Sequence, residues 1–350
     1  TGVYIATVVS VQFATWIGPF PFIFLAFGIL LAIGNFITIF SIIMRFNFHL
    51  LLLTLSFLIG YFVEPHYTRL VKNETGFKFE ERQTLKEYFY QWVNNPDRQK
   101  LLADSSVKKI PMYFVMANGG ASRSGYWTAS ALSKFEDETG GEFSKHLFCL
   151  SGASGGSVGN ATFFSVLRSK ERLLKNNTAV NPCWQASSGY LKSDFLTYTV
   201  ARTLGPDVFR TLVTLYNVND RASALSLSIE NASGPKDFLY DSLGIAFSSI
   251  ITQKNTPYNL PILCINTTRM QDGNPGVISN IRISDSVFNG RIDVLSLLKK
   301  EEDMKLSTGV VLGASFPYLS PAGRIDHKKC DTCTEEPNYF VDGGYFDNSG

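Results

Sequence analysis

Between Gly2 and Met44 the chain has no aspartate, glutamate, lysine, arginine or histidine, and a second charge-free run follows from Leu50 to Val63. A surface helix of a soluble domain would carry a polar face, so an uninterrupted apolar stretch of this length argues for lipid. About 20 apolar residues span a bilayer. "GPFP" at Gly18 to Pro21 breaks the first run where a turn would fall. Three crossings are therefore expected, over roughly 1–17, 20–44 and 46–63, with the lipid bilayer as partner. A signal peptide followed by buried helices is the other reading, but its apolar region spans only about 7–15 residues. Arg45 lies between the second and third crossings, whereas Arg69, Lys72 and Lys78 follow the third. The positive-inside count thus leans towards an integral membrane protein with a cytoplasmic main domain.

Other shortages exclude other functions. A net charge of +2 over 350 residues gives no electrostatic reason to expect nucleic acid. Only four histidines are present and none follows Asp342, so the Ser…Asp…His order of the α/β-hydrolases is unmet. Five cysteines are too few for a disulfide framework. His327, Cys330 and Cys333 have the spacing of three zinc ligands, without an obvious fourth; a loop disulfide or two free thiols is the plainer reading. There is no initiating methionine, and Gly350 stops inside the polar phrase "DGGYFDNSG", so both ends read as cuts in a longer protein. No internal repeat or low-complexity tract is visible.

Beyond the membrane region, 1–63, a polar connector is expected over 64–109, with a short amphipathic helix. From 110 to 350 short apolar runs alternate with helical ones, which predicts an α/β domain with a mainly parallel sheet covered by helices on both faces. "IPMYFVMA", "HLFCLS", "LPILCINTTR", "GVISNIRISD" and "NYFVDGG" read as strands; "YWTASALSKFEDETG", "RIDVLSLLKK" and "MKLSTGVVLGASFP" read as helices. A helical insertion is expected at about 173–259.

Three glycine-rich turns follow apolar runs, at the sheet edge where α/β folds place ligands. Gly152-Ala153-Ser154-Gly155-Gly156 fits G-x-S-x-G between strand and helix, a turn from which a serine hydroxyl can project as a nucleophile. It could also be a phosphate-binding helix start or a turn that merely packs closely. "NGGASRSG" from Asn118 exposes successive backbone N–H groups that suit an oxyanion, with Arg123 placed to meet an anion. In the third turn Asp342 precedes Gly343 and Gly344 and could accept a proton; Asp347 is the competing carboxylate.

In this order and form, the turns resemble those of the patatin-like phospholipases, relatives of the cytosolic phospholipase A2 catalytic domain. The family's D-G-G-G-x-R-G aligns onto Asn118 to Ser124, its G-x-S-x-G onto Gly152 to Gly156 and its D-G-G/A onto Asp342 to Gly344. "GASFPYLSPAG" at Gly313 is similar to the segment that precedes the family's aspartate, and the likeness runs from about Ile110 to Gly350. Asn118, Ala121 and Ser124 depart from the family's Asp, Gly and Gly. The resemblance implies a serine lipid acyl hydrolase working without a cofactor, with membrane lipid as substrate. Ser154 would attack the ester, Asp342 would be the base, and the N–H groups of Gly119, Gly120 and Gly155 would hold the oxyanion. A catalytically inactive lipid-binding scaffold and a rhomboid-like intramembrane serine protease are the alternatives.

Overall fold

The computed structural model describes residues 1–62, 66–176, 179–210, 220–253, 260–316, 320–327, 334 and 336–350. The chain divides into two compact units, one comprising 1–67 and 193–234, the other 68–192 and 235–350.

In the first unit the apolar run does not form three equal crossings. Ser10 adopts an extended conformation and its hydroxyl accepts the Phe13 N–H, so the first expected crossing is split into helices Gly2–Val9 and Val11–Ile17. Serine at such a position competes with the helix backbone and caps the next turn. Gly18 then leads into Pro19–Ile43, whose 25 residues are long and apolar enough to cross a membrane. Its Phe20, Phe24, Phe27 and Leu31 side chains are exposed. The last apolar helix is described over Phe48–Phe62, 15 residues that rise about 22 Å, against a hydrocarbon core about 30 Å thick. Two helices from the middle of the chain, Leu196–Arg202 and Arg221–Asn231, pack with these N-terminal helices. Val8, Phe22, Ala26 and Ala201 share one buried cluster, and Val11, Ala14, Tyr198 and Ala224 another. Arg202 donates to the Val8 carbonyl at 2.8 Å, and Asp220 accepts from Ser223 N–H while pairing with His66 at 2.8 Å.

The second unit carries nine described strands: β1 (Leu70–Lys72), β2 (Tyr113–Ala117), β3 (Leu147–Gly152), β4 (Ile262–Arg269), β5 (Pro275–Ser279), β6 (Ile292–Asp293), β7 (Glu302–Met304), β8 (Gly323–His327) and β9 (Glu336–Asp342). β1 and β7 form a small antiparallel ladder, so part of the segment expected as a connector is built into this unit. The other seven make one sheet, in the order β2-β3-β4-β5-β6, with β9 also on β4 and β8 on β9. The sheet is mixed rather than mainly parallel. β2, β3 and β4 run parallel, as do β5 and β6, but β5 and β9 both run antiparallel to β4, and β8 antiparallel to β9.

β4 is buried along most of its length and apolar in its first half, Ile262 to Ile265, as suits a strand covered on both faces. Its alternation assigns the cover. Ile262 and Cys264 face Tyr88 and Trp92 of the amphipathic helix Leu85–Val93, in a cluster with Phe148 and Val277. Ile265, of opposite parity, meets Gly313 at the end of the wholly buried helix Leu306–Gly313. That helix was expected, but "RIDVLSLLKK" is not helical. It supplies β6 and a single 3₁₀ turn at Leu295–Leu297, because Asp293 is bound bidentately by the buried Arg82 guanidinium, both oxygens at 2.7 Å.

Candidate active site

The register on β4 brings the serine and aspartate turns together. β5 occupies one edge of β4 over Cys264 to Thr268, so β3 and β9 must share the other. On that edge Gly152, the last residue of β3, pairs with Ile265, and Asp342, the last of β9, pairs with Thr267. The two strands run towards each other and end two residues apart along β4, about 7 Å at strand rise. Asn266 fills the interval, donating from its amide to the Ser151 hydroxyl at 3.1 Å. Ser154 N–H donates to the Gly313 carbonyl at 3.3 Å and Asp342 N–H to the Ser315 carbonyl at 3.0 Å, so one short segment braces both turns from behind.

Ser154 has φ 51° and ψ −125°, a left-handed conformation that a serine adopts only when its surroundings impose it. The imposition is visible next door. A Cβ at Gly155 would overlap the Ala121 carbonyl oxygen. One at Gly156 would overlap that of Ala117 and stand 2.6 Å from its carbonyl carbon. The small residues of this turn therefore serve close packing, Gly155 against the first turn of Ala121–Glu138 and Gly156 against the end of β2, beside Ser154 at the start of Gly155–Arg168. Gly156→Ala should lower stability by about 3 kcal/mol, because the obstructing atoms are backbone that cannot rotate away. A thermal unfolding midpoint equal to wild type would contradict that.

The Ser154 hydroxyl is half-buried and has no hydrogen-bond partner among the described residues. Asp342 is buried at 4 % exposure, and its Oδ1 accepts the Gly344 N–H at 2.8 Å. No hydrogen bond joins the two side chains; such contacts in unliganded sites often tighten only with substrate bound. Asp347 is exposed and turned to Ser349, whose N–H and hydroxyl hold its carboxyl below the usual range. Of the two carboxylates, Asp342 is thus the one buried beside the serine turn.

The oxyanion donors need one correction. Gly119 N–H donates to the Asn348 carbonyl at 2.9 Å and is not available. The backbone N–H groups of Gly120, Ala121 and Gly155 have no acceptor among the described residues, and a Cβ at Gly155 would stand 3.0 Å from Ala121 N. These groups belong to two abutting helix starts, where the macrodipole also favours negative charge. Ala121, with φ 50°, went unrecognised because an alanine seldom takes that conformation and nothing in its side chain announces it.

No family model, curated protein or solved structure matches the chain. The arrangement is accordingly read from its own geometry. Arg123 lies in the first turn of Ala121–Glu138, exposed and without a hydrogen bond or ion pair among the described residues. His327 Nδ1 lies 3.0 Å from the Leu297 carbonyl, which fixes the ring and leaves Nε2 uncommitted, while Cys330 and Cys333 lie outside the described residues. No cluster of three metal-ligating side chains occurs among the described residues. Cys149, Cys183 and Cys264 are free thiols.

Proposed function

We propose that the protein is a membrane-anchored serine lipid acyl hydrolase of the patatin-like kind, acting through a Ser154–Asp342 dyad. The observation that carries the reading is the pairing of β3 and β9 on one edge of β4, where Gly152, which leads into the turn holding Ser154 at positive φ, and the buried Asp342 end two strand positions apart. Close packing alone accounts for the glycines but not for a buried aspartate ending the opposing strand. A phosphate loop would have no use for that carboxylate, which would repel the anion.

The chemistry follows from the groups available. Ser154 Oγ attacks the ester carbonyl carbon while Asp342 takes the hydroxyl proton. The resulting oxyanion is met by backbone N–H groups of Gly120, Ala121 and Gly155. Collapse expels the alcohol portion of the lipid, which leaves with the proton from Asp342, and an acyl-serine ester remains. Water, deprotonated by Asp342, attacks this ester and releases the fatty acid. Arg123 stands at the same helix start and suits a phosphate-bearing headgroup, and the apolar Pro19–Ile43 helix supports a bilayer as the source of substrate. The cytoplasmic side follows from the charge count alone.

The test is covalent labelling. A fluorophosphonate should label the detergent-solubilised wild type at Ser154 and leave Ser154→Ala unlabelled. Absent labelling of wild type would favour the inactive scaffold; labelling that survives Ser154→Ala would place the reactive group elsewhere.

A further inference from the structure

Asn348 stands where the oxyanion turn and the aspartate turn meet. Its main-chain carbonyl accepts the Gly119 N–H at 2.9 Å. Its carboxamide oxygen fills the space that a side chain would take at either of two glycines. A Cβ on Gly119 would overlap that oxygen and stand 3.1 Å from Ser154 Cβ. One on Gly344 would stand 2.7 Å from it and 3.1 Å from Asp342 Oδ1. Gly119 and Gly344 belong to different turns, and both are bare on the side that faces one carboxamide. The carboxamide therefore lies where the turns that carry Gly119 and Gly344 meet. It makes no hydrogen bond among the described residues, so local bonding does not explain its place.

On the hydrolase reading above, we infer that Asn348 is a positioning residue that fixes the oxyanion turn against the Ser154 and Asp342 turns. Its carbonyl pins the peptide at Gly119, which leaves the next two N–H groups, of Gly120 and Ala121, unpaired beside Gly155. Its carboxamide oxygen sits against Gly119 and Gly344, in the gap between their two turns, and keeps those turns at a set spacing. A neutral, planar group suits that gap, since a carboxylate there would oppose the charge of Asp342. A misplacement of about 1 Å in such a constellation costs on the order of 100-fold in rate.

Two variants test the inference. Asn348→Ala should lower kcat on a soluble short-chain ester by about 10- to 100-fold, with KM changed less than about twofold and the unfolding temperature near wild type. Asn348→Asp keeps the shape but adds a negative charge beside Asp342, which makes the base harder to ionise. The acid limb of the kcat/KM profile should then move to higher pH by about one unit, a change that loosened packing alone would not produce. The charged groups around the gap are the same in both proteins. They are Asp342, Asp347 tied to Ser349, Arg291 acting on Asp347, and Arg123 on the neighbouring helix start. A wild-type kcat in Asn348→Ala with an unshifted limb in Asn348→Asp overturns the inference. Amide exchange separates this from failure of the hydrolase reading. If wild type does not react with fluorophosphonate, that reading falls, while faster exchange over residues 118–124 in Asn348→Ala still supports the clamp and unchanged exchange removes it.

Discussion

Asp342→Asn should reduce kcat for ester hydrolysis by about 10³-fold or more while leaving the protein folded, a loss of about 4 kcal/mol in transition-state stabilisation. Asparagine keeps a carbonyl oxygen that can accept the Gly344 N–H, the bond that the native Oδ1 makes at 2.8 Å, so the turn should hold its shape. What disappears is the ability to take a proton from Ser154. No other described side chain can replace it from the same place, since Asp347 is turned to Ser349. Asp347→Asn is the matched control and should remain within a fewfold of wild type. Fluorophosphonate labelling of Ser154 should be slowed in Asp342→Asn rather than abolished, because the nucleophile and the oxyanion donors are intact. Equal turnover by Asp342→Asn and wild type would remove the dyad from the mechanism.

The second large effect concerns folding. Arg82 is 2 % exposed, and its guanidinium meets both Asp293 oxygens, the carbonyls of Phe79, Ser279 and Ile281, and the Ser296 hydroxyl. Asp293 also accepts the Ile283 N–H at 3.0 Å. Arg82→Met should cost about 3–5 kcal/mol, because it strands a largely buried carboxylate and three carbonyls together. Asp293→Asn in the Arg82→Met background should recover part of the loss by removing the unpaired charge, so the two changes should be non-additive. Equilibrium denaturation of the four proteins measures both quantities. An additive cycle would mean that the pair is not coupled.

The candidate turns were more legible in the sequence than the topology. G-x-S-x-G, "NGGASRSG" and "VDGG" each mark a turn whose backbone is constrained, and constrained turns leave their signature in residue type. Strand direction leaves none. β4 and β9 are buried in a manner that reads alike for parallel and antiparallel neighbours, so the mixed sheet was invisible, and with it the way that Asp342 reaches the serine. β8, in "GRIDH", was missed because Ile325 is its one apolar side chain, flanked by Arg324, Asp326 and His327. The helix expected at "RIDVLSLLKK" rested on apolar spacing, which carries no information about the long-range hold of Arg82 on Asp293. Ser10 shows the opposite failing. The capping residue was present within the first apolar run, but composition summed over the run concealed it. Gly119 was assigned as a donor from its motif alone; only the fold reveals that Asn348 has taken its N–H.

The meeting of β3 and β9 on β4 also bears on when the protein can act. Made in chain order, the apolar helices precede the serine turn, which precedes β4, and the strand that ends in Asp342 comes well afterwards. Until β9 pairs with β4, the serine has no carboxylate at its side. On the hydrolase proposal, helices placed in a bilayer would be joined to a domain not yet able to cut the lipids around it, and hydrolytic competence would arrive only with the long-range pairing of β9 on β4.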